Sequence, residues 1–138
     1  MPLYKSRSVA NLTDVAWLVW SPTFTMSTVG GTPITAAVSG GGARYKQIGN
    51  TVFFEMDATI SNVGVGNSGL FIFTIPVTTS ATAIPACVGK EVIMTAKMVV
   101  GANWSTTQIS IGFADGVTAV LSGGNGTRFN VAGFYRVL

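Results

Sequence analysis

The chain has very little charge, no histidine and one cysteine. Charged residues make up 9% of its 138 residues, against about 25% in an ordinary soluble domain. Without histidine the chain lacks the commonest general base and the commonest metal ligand. With Cys87 alone it cannot form an intrachain disulfide. We therefore expect no triad catalysis, no metal site and no cofactor, and we interpret Cys87 as a small buried residue rather than a reactive thiol.

Long apolar runs and clustered basic residues are also missing. Gly, Ser, Thr or Pro interrupts every hydrophobic run before the roughly 20 residues that a membrane helix needs, so we expect no membrane span. The net charge of +3 is spread along the sequence, without the basic cluster that binding to phosphate backbones favours, so we expect no nucleic-acid partner. A surface with so little charge favours burial against copies of the same chain.

Alternating apolar and polar residues predict an all-β chain. The clearest strand runs from Thr51 to Ile60, and period two assigns one set of side chains to the core: Val52, Phe54, Met56, Ala58 and Ile60. Its expected partner is the strand from Ala43 to Ile48. The two are joined by Gly49-Asn50, residues that tolerate the positive φ of a tight hairpin turn.

Further strands are predicted on the same grounds, which gives about eight in all. They are Trp17–Met26, Gly69–Ile75, Glu91–Val100, Thr107–Phe113, Val117–Leu121 and Arg128–Val137. Alternation places Trp17 and Trp20 on opposite faces of the first one. The polar, basic residues 1–16 predict an N-terminal arm, and residues 17–138 predict a single β-sandwich domain of jelly-roll type.

Two of these predicted strands, Gly69–Ile75 and Glu91–Val100, are apolar on both faces. A strand in a two-layer sandwich should be polar on one side. We therefore expect another subunit to cover the outer face of one sheet. The candidate subunit-interface residues are Trp17, Phe71, Phe73, Ile93 and Val99.

Glu55 and Asp57 are the only closely spaced carboxylates. Two positions apart on one strand, they share a face at a Cα separation of about 6.5–7 Å, which overlaps the spacing of glycosidase carboxylates. The sequence around them suggests no substrate groove. We favour solvent exposure or an ion pair with Lys97 or an arginine, and we do not expect an enzyme.

A loop between two predicted strands contains Asn103 and Trp104. An exposed indole there is a candidate platform for a sugar ring, together with the loop around Asn125. The alternative is that Trp104 is a partly buried anchor of its loop.

Four segments, taken in order, carry a family resemblance. They are Trp20-Ser21-Pro22, the run from Arg44 to Phe54 (RYKQIGNTVFF), the stretch from Ser68-Gly69 to Ile75-Pro76, and the closing run from Phe129 to Tyr135. Together they resemble the jelly-roll-like β-sandwich modules of tailed-bacteriophage fibres, head fibres and decoration proteins. The resemblance covers nearly the whole chain apart from the arm.

The resemblance implies a homotrimer on the virion surface, made in the cytoplasm of the bacterial host. The arm is short and carries no heptads or collagen-like repeat to form a fibre shaft. A capsid decoration or head-fibre component is therefore the leading expectation, with Tyr4, Lys5 and Arg7 as candidate attachment residues on the major capsid protein. The alternative is a receptor-binding tip of a tail fibre or baseplate that recognises host surface glycan.

Overall fold

The described part of the chain forms one antiparallel β-sheet that curls around its own core. The computed structural model describes residues 15–26, 35–62, 70–79, 85–93, 96–115 and 126–137. Within these ranges the strands are β1 (Leu18–Val19), β2 (Phe24–Met26), β3 (Thr35–Ile48), β4 (Thr51–Asn62), β5 (Phe71–Thr74), β6 (Ala86–Glu91), β7 (Met98–Ser105), β8 (Gln108–Phe113) and β9 (Arg128–Arg136). The order across the sheet is β1-β3-β4-β9-β6-β7-β8-β5-β2. The all-β prediction is confirmed.

The curl of the sheet follows from how its two edges are connected. Strands β1 and β2 lie at opposite edges, yet only the four residues Trp20–Thr23 separate them in sequence. Five Cα–Cα steps of 3.8 Å allow at most about 19 Å between Val19 and Phe24. The sheet must therefore bend back on itself, and β2 does lie close to β3. The jelly-roll arrangement and the trimer stay predictions.

The predicted hairpin and its inner face are confirmed. β3 and β4 pair from Ile48↔Thr51 onward, and Gly49 takes the left-handed conformation at φ 58°. The five side chains assigned to the core from alternation are all at most 3% exposed. Trp20 also faces the core, whereas Trp17 lies on the opposite, outer side, as alternation predicted.

Aromatic rings fill much of the core. The Phe54 ring contacts those of Trp20, Phe73 and Tyr135 at centroid distances of 5.9 to 6.0 Å. The Trp20 and Phe73 rings also contact each other, at 6.1 Å. Fully burying one such side chain contributes about 1.5–3 kcal/mol relative to leaving it exposed. Because these rings come from strands far apart in sequence, they hold the two halves of the curled sheet together.

The predicted strand Glu91–Val100 is wrong, because the chain turns within it. β6 ends at Glu91 and β7 begins at Met98. The N–H of Glu91 donates to the carbonyl of Lys97 at 2.9 Å, and Ala96 has a positive φ of 54°. The Glu91 carboxylate accepts a hydrogen bond from the N–H of Ile93 at 2.8 Å. A side chain thus stabilises a turn that has no Gly, Pro or Asn to mark it.

Other strand limits also differ from expectation. The first predicted strand is two strands, β1 and β2, separated around Pro22, which cannot donate a ladder hydrogen bond. β3 begins at Thr35 rather than Ala43. The predicted strand Val117–Leu121 and almost all of the predicted arm, residues 1–14, lie outside the described residues.

Candidate functional site

The outer face of the sheet carries an exposed apolar region on β9, β6 and β7. We call it the outer patch and define it as Val88, Met98, Val100 and Ala132. Val88 lies opposite Ala132 on one side and Val100 on the other, so the patch is continuous across three strands. Val88 is 57% exposed and Met98 55% exposed. No segment of the described chain covers these side chains.

Two pairs of charges flank the outer patch and are joined within the chain, whereas Lys90, which lies opposite Met98, forms no ion pair with a described residue. Arg44 forms an ion pair with Glu55. Arg128 Nε donates to Asp57 Oδ1 at 2.7 Å, and the hydrogen bond and charge of Asp57 raise the pKa of Arg128. With its amide oriented to donate, Asn130 lies 3.2 and 3.3 Å from the Asp57 carboxylate oxygens. Ion pairs therefore neutralise the β4 side of the patch, and the charge of Lys90 beside Met98 is not neutralised by a described carboxylate.

These contacts show how the two sequence-predicted carboxylates are used. Glu55 and Asp57 do lie on the same face of β4, and each is paired with its own arginine, which agrees with the ion-pair interpretation. Lys97 pairs instead with Asp115, at 2.8 Å. Asp57 is 8% exposed, so its charge depends on the Arg128 and Asn130 contacts more than the half-exposed Glu55 depends on Arg44.

Three of the five candidate interface residues are corrected by the structure. Phe71, Phe73 and Val99 are at most 1% exposed in the single chain, so they are not available to a neighbouring copy. They point inward, where the curled sheet already covers them. Trp17 and Ile93 are exposed, at 38% and 60%, and their role in subunit contact stays a prediction.

The residues of the candidate glycan site do not all lie together. Asn103 and Trp104 lie within β7 rather than in the predicted loop, and both are exposed, Trp104 at 48%. Asn125 lies outside the described residues, but Gly126 next to it donates to the carbonyl of Ile60 at 2.8 Å. Through the strand registers, Trp104 is level with the start of β4 and Gly126 with its other end, about 30 Å away along the strands. Tyr4, Lys5 and Arg7 lie outside the described residues.

A second feature of the outer face is a groove beside the outer patch, with a volume of about 700 Å³. We call it the tryptophan groove. It is lined chiefly by Trp17, Lys46, Ile48, Phe53, Ala86 and Phe134, with Val88 and Ala132 at its border with the outer patch. The Phe53 and Phe134 rings are neighbours at a centroid distance of 6.0 Å. The guanidinium of Arg44 and the ammonium of Lys46 lie 5.3 and 5.0 Å from the centre of the Trp17 ring.

Cys87 has the buried position that the sequence suggested. It is 4% exposed, and burial raises the pKa of its thiol to about 12. Gly101 on β7 makes room for it, because a Cβ at Gly101 would lie 2.8 Å from the Cys87 sulfur. A thiol in this environment is almost entirely protonated at neutral pH, and it is a packing residue.

The sequence pattern did not predict the outer patch, because no strand was predicted over residues 86–90 and Glu91 was expected to begin a strand rather than to end β6. If β6 is taken to end at Glu91, alternation places Cys87 and Glu91 inward and Val88 outward, as observed. The signal was present in β6 but was hidden by the unmarked turn after it.

Comparisons with protein-family models, with curated proteins and with solved structures found no match for this chain. In the described part of the chain, no group of three His, Cys, Asp or Glu side chains is placed to hold a metal ion. No helix in the same part meets the length and hydropathy needed to cross a membrane.

Proposed function

We propose that this chain is a non-enzymatic structural subunit of a bacteriophage virion exterior, a capsid decoration or head-fibre component, which assembles through its outer patch into a homotrimer of jelly-roll-like domains. The observation that carries the self-association is the outer patch itself, an exposed apolar surface continuous over three strands. The virion location rests on the four-segment resemblance, with the major capsid protein as partner of the N-terminal arm.

The charge arrangement supports a second copy as the occupant of the outer patch. Identical subunits carry identical net charge, so they repel one another except where charges are locally neutralised. The pairs Arg44–Glu55 and Asp57–Arg128 neutralise the β4 side of the patch, and the flexible side chain of Lys90 can keep its charge at the rim of a contact. Their carboxylates keep partners when water is excluded, which lowers the desolvation cost of contact. A closed ring of three copies would bury the same patch on every subunit.

The mass of the purified protein, measured by light scattering, tests self-association. We expect a trimer for the natural chain and dissociation for Val88→Asp, because the new carboxylate would have to be desolvated in the interface. Val19→Asp is the matched control, since Val19 is 87% exposed at the edge of the sheet and lies outside the patch. A monodisperse monomer of the natural chain would remove the support for this proposal.

The location is tested by electron cryo-microscopy of intact virions. We expect density for the domain on the head, around threefold positions, and loss of that density in virions made without this chain. Density at the tail and none on the head would overturn the decoration role while leaving the assembly intact.

Receptor recognition is the second candidate function, and the exposure of Trp104 is the observation that favours it. An indole half exposed at the end of β7 is free to stack on a sugar ring. Fluorescently labelled protein should then bind host cells, and Trp104→Ala should abolish that binding. Failure to label cells, combined with rebinding to capsids stripped of this chain, would decide for decoration.

A further inference from the structure

The tryptophan groove has the composition of a binding site for a small ring-shaped ligand. Its volume of about 700 Å³ lies within the range of roughly 300–1,000 Å³ typical of ligand pockets. Phe53 and Phe134 stand on neighbouring strands and are paired in register, so the sheet itself fixes their spacing. Phe134 is 47% exposed and Trp17 38% exposed. The groove therefore offers aromatic surface to solvent on rigid elements.

The groove also has an unbalanced positive charge. Glu55 at its rim is paired with Arg44, whereas Lys46 contacts the Trp17 ring and has no carboxylate partner in the described part of the chain. A cation near an aromatic face gains about 0.5–1 kcal/mol at an exposed site. This contact does not use the N–H donors of Lys46, which can still form a charged hydrogen bond. An anionic group would complement it.

That anion does not come from the described part of another copy of this chain. The sequence has five acidic residues, of which Asp14 lies outside the described residues. The other four are already engaged, namely Glu55 with Arg44, Asp57 with Arg128, Asp115 with Lys97, and Glu91 with the N–H of Ile93. The groove and the outer patch thus differ in chemistry. The patch is mainly aliphatic, which suits a second copy, whereas the groove is aromatic and cationic, which suits a different, negatively charged molecule.

We propose that the tryptophan groove binds an acidic carbohydrate, a polysaccharide segment whose sugar rings carry carboxylates. The apolar C–H face of a sugar ring packs against Phe134 and Phe53, and the carboxylate accepts from Lys46. The Glu55–Arg44 pair at the rim supplies polar atoms for hydroxyl groups. This inference does not depend on the outer patch, on trimer formation or on the Trp104 site.

The test uses the full chain and two probes of equal length, tetragalacturonic acid and the neutral cellotetraose, in calorimetric titrations at low salt. We expect tetragalacturonic acid to bind about tenfold more tightly or better, because only it carries the carboxylates, and to weaken as salt is added. Lys46→Met should remove this preference. Phe134→Ser should weaken the binding of both probes by about tenfold, as expected for loss of a stacking ring.

Ile93→Ser is the control, because Ile93 is an apolar residue that is 60% exposed and does not line the groove, and it should leave both affinities unchanged. The proposal is overturned if tetragalacturonic acid shows no binding at millimolar concentration, if Lys46→Met leaves its preference intact, or if Ile93→Ser abolishes the binding. Tighter binding of an oligodeoxythymidylate would overturn it in favour of nucleic acid. Light scattering on the same samples shows separately whether the trimer forms, so failure of one proposal is distinguishable from failure of the other.

Discussion

Strands β5 and β7 both carry apolar residues on their two faces, yet they differ in how far those faces are buried. In β5, Phe71 and Phe73 point into the core, and Ile72 on the other face is also buried, at 3%. In β7, Val99 is buried, whereas Met98 and Val100 on the other face are 55% and 44% exposed. The chain covers both faces of β5 by itself, whereas no described segment covers the outer face of β7. Apolar residues on both faces of a strand therefore indicate that both faces are covered. They do not indicate whether the same chain or another subunit covers them.

The largest difference is expected when the same charge is placed on the buried outer face of β5 and on the exposed outer patch. Ile72→Asp should lower the free energy of unfolding by about 3–5 kcal/mol, because the carboxylate would be buried without a partner. Val88→Asp should change it by less than about 0.5 kcal/mol in dilute protein, since Val88 is exposed in the single chain. Urea unfolding followed by tryptophan fluorescence measures both.

Similar losses in the two variants would contradict the distinction between the faces. If Val88→Asp unfolds the dilute chain, the outer patch is needed for folding itself. If Ile72→Asp is harmless, the outer face of β5 is open as well.

The next largest effect is expected where two strands approach closely. A Cβ on Gly133 of β9 would lie 2.9 Å from the Cα of Cys87 and closer still to the carbonyl oxygen of Ala86. Gly133→Ala should therefore destabilise the fold by about 1–3 kcal/mol through overpacking. Gly49→Asn is the control, because its left-handed turn conformation suits Asn and nothing lies near the new side chain. Thermal unfolding of the two variants compares them, and equal midpoints would show that β9 and β6 can move apart.

Much of the fold could be predicted from sequence where local patterns were unambiguous. Alternation over Thr51–Ile60 assigned the correct inner face, and Gly49-Asn50 marked the hairpin turn. These features depend on residues next to each other in sequence or on the demands of a single turn.

The remaining features depend on tertiary contacts that no local pattern records. The turn between β6 and β7 is held by the Glu91 side chain, and its residues Val92 to Lys97 resemble a strand. The burial of Phe71 and Phe73 could be predicted, but their assignment to a subunit interface could not be checked without knowing the curl of the sheet. The tryptophan groove combines Trp17, Lys46 and Phe134 from distant parts of the chain, and only the sheet order brings them together.

Two buried groups of the core should make the free energy of unfolding depend on alkaline pH. Burial raises the pKa of Tyr135 to about 12 from its ordinary 10.0, and that of Cys87 to about 12 from 9.0. Above these ordinary values the unfolded chain loses protons that the folded chain keeps, so the free energy of unfolding should fall from about pH 9 to 12. Tyr135→Phe should reduce the part of this slope above pH 10.

At neutral pH the same variant should cost about 1 kcal/mol, because the N–H of Val77 loses its acceptor, the Tyr135 hydroxyl oxygen, at 3.2 Å. Urea unfolding at pH 7 and at pH 11 gives both values. An unchanged alkaline slope in Tyr135→Phe would mean that the phenol titrates alike in the folded and unfolded chains.

The smallest effect is expected at the ion pair on the open face. The Arg44 and Glu55 side chains are 51% and 38% exposed, so Glu55→Gln should lower the free energy of unfolding by less than about 1 kcal/mol. Added salt should shrink this difference further, because exposed charges are screened. Asp57→Asn should cost more, since the side chain of Asp57 is only 11% exposed and accepts from Arg128 Nε at 2.7 Å. A larger loss for Glu55 than for Asp57 would mean that Glu55 is covered in solution, and the open face would then already be occupied by another copy.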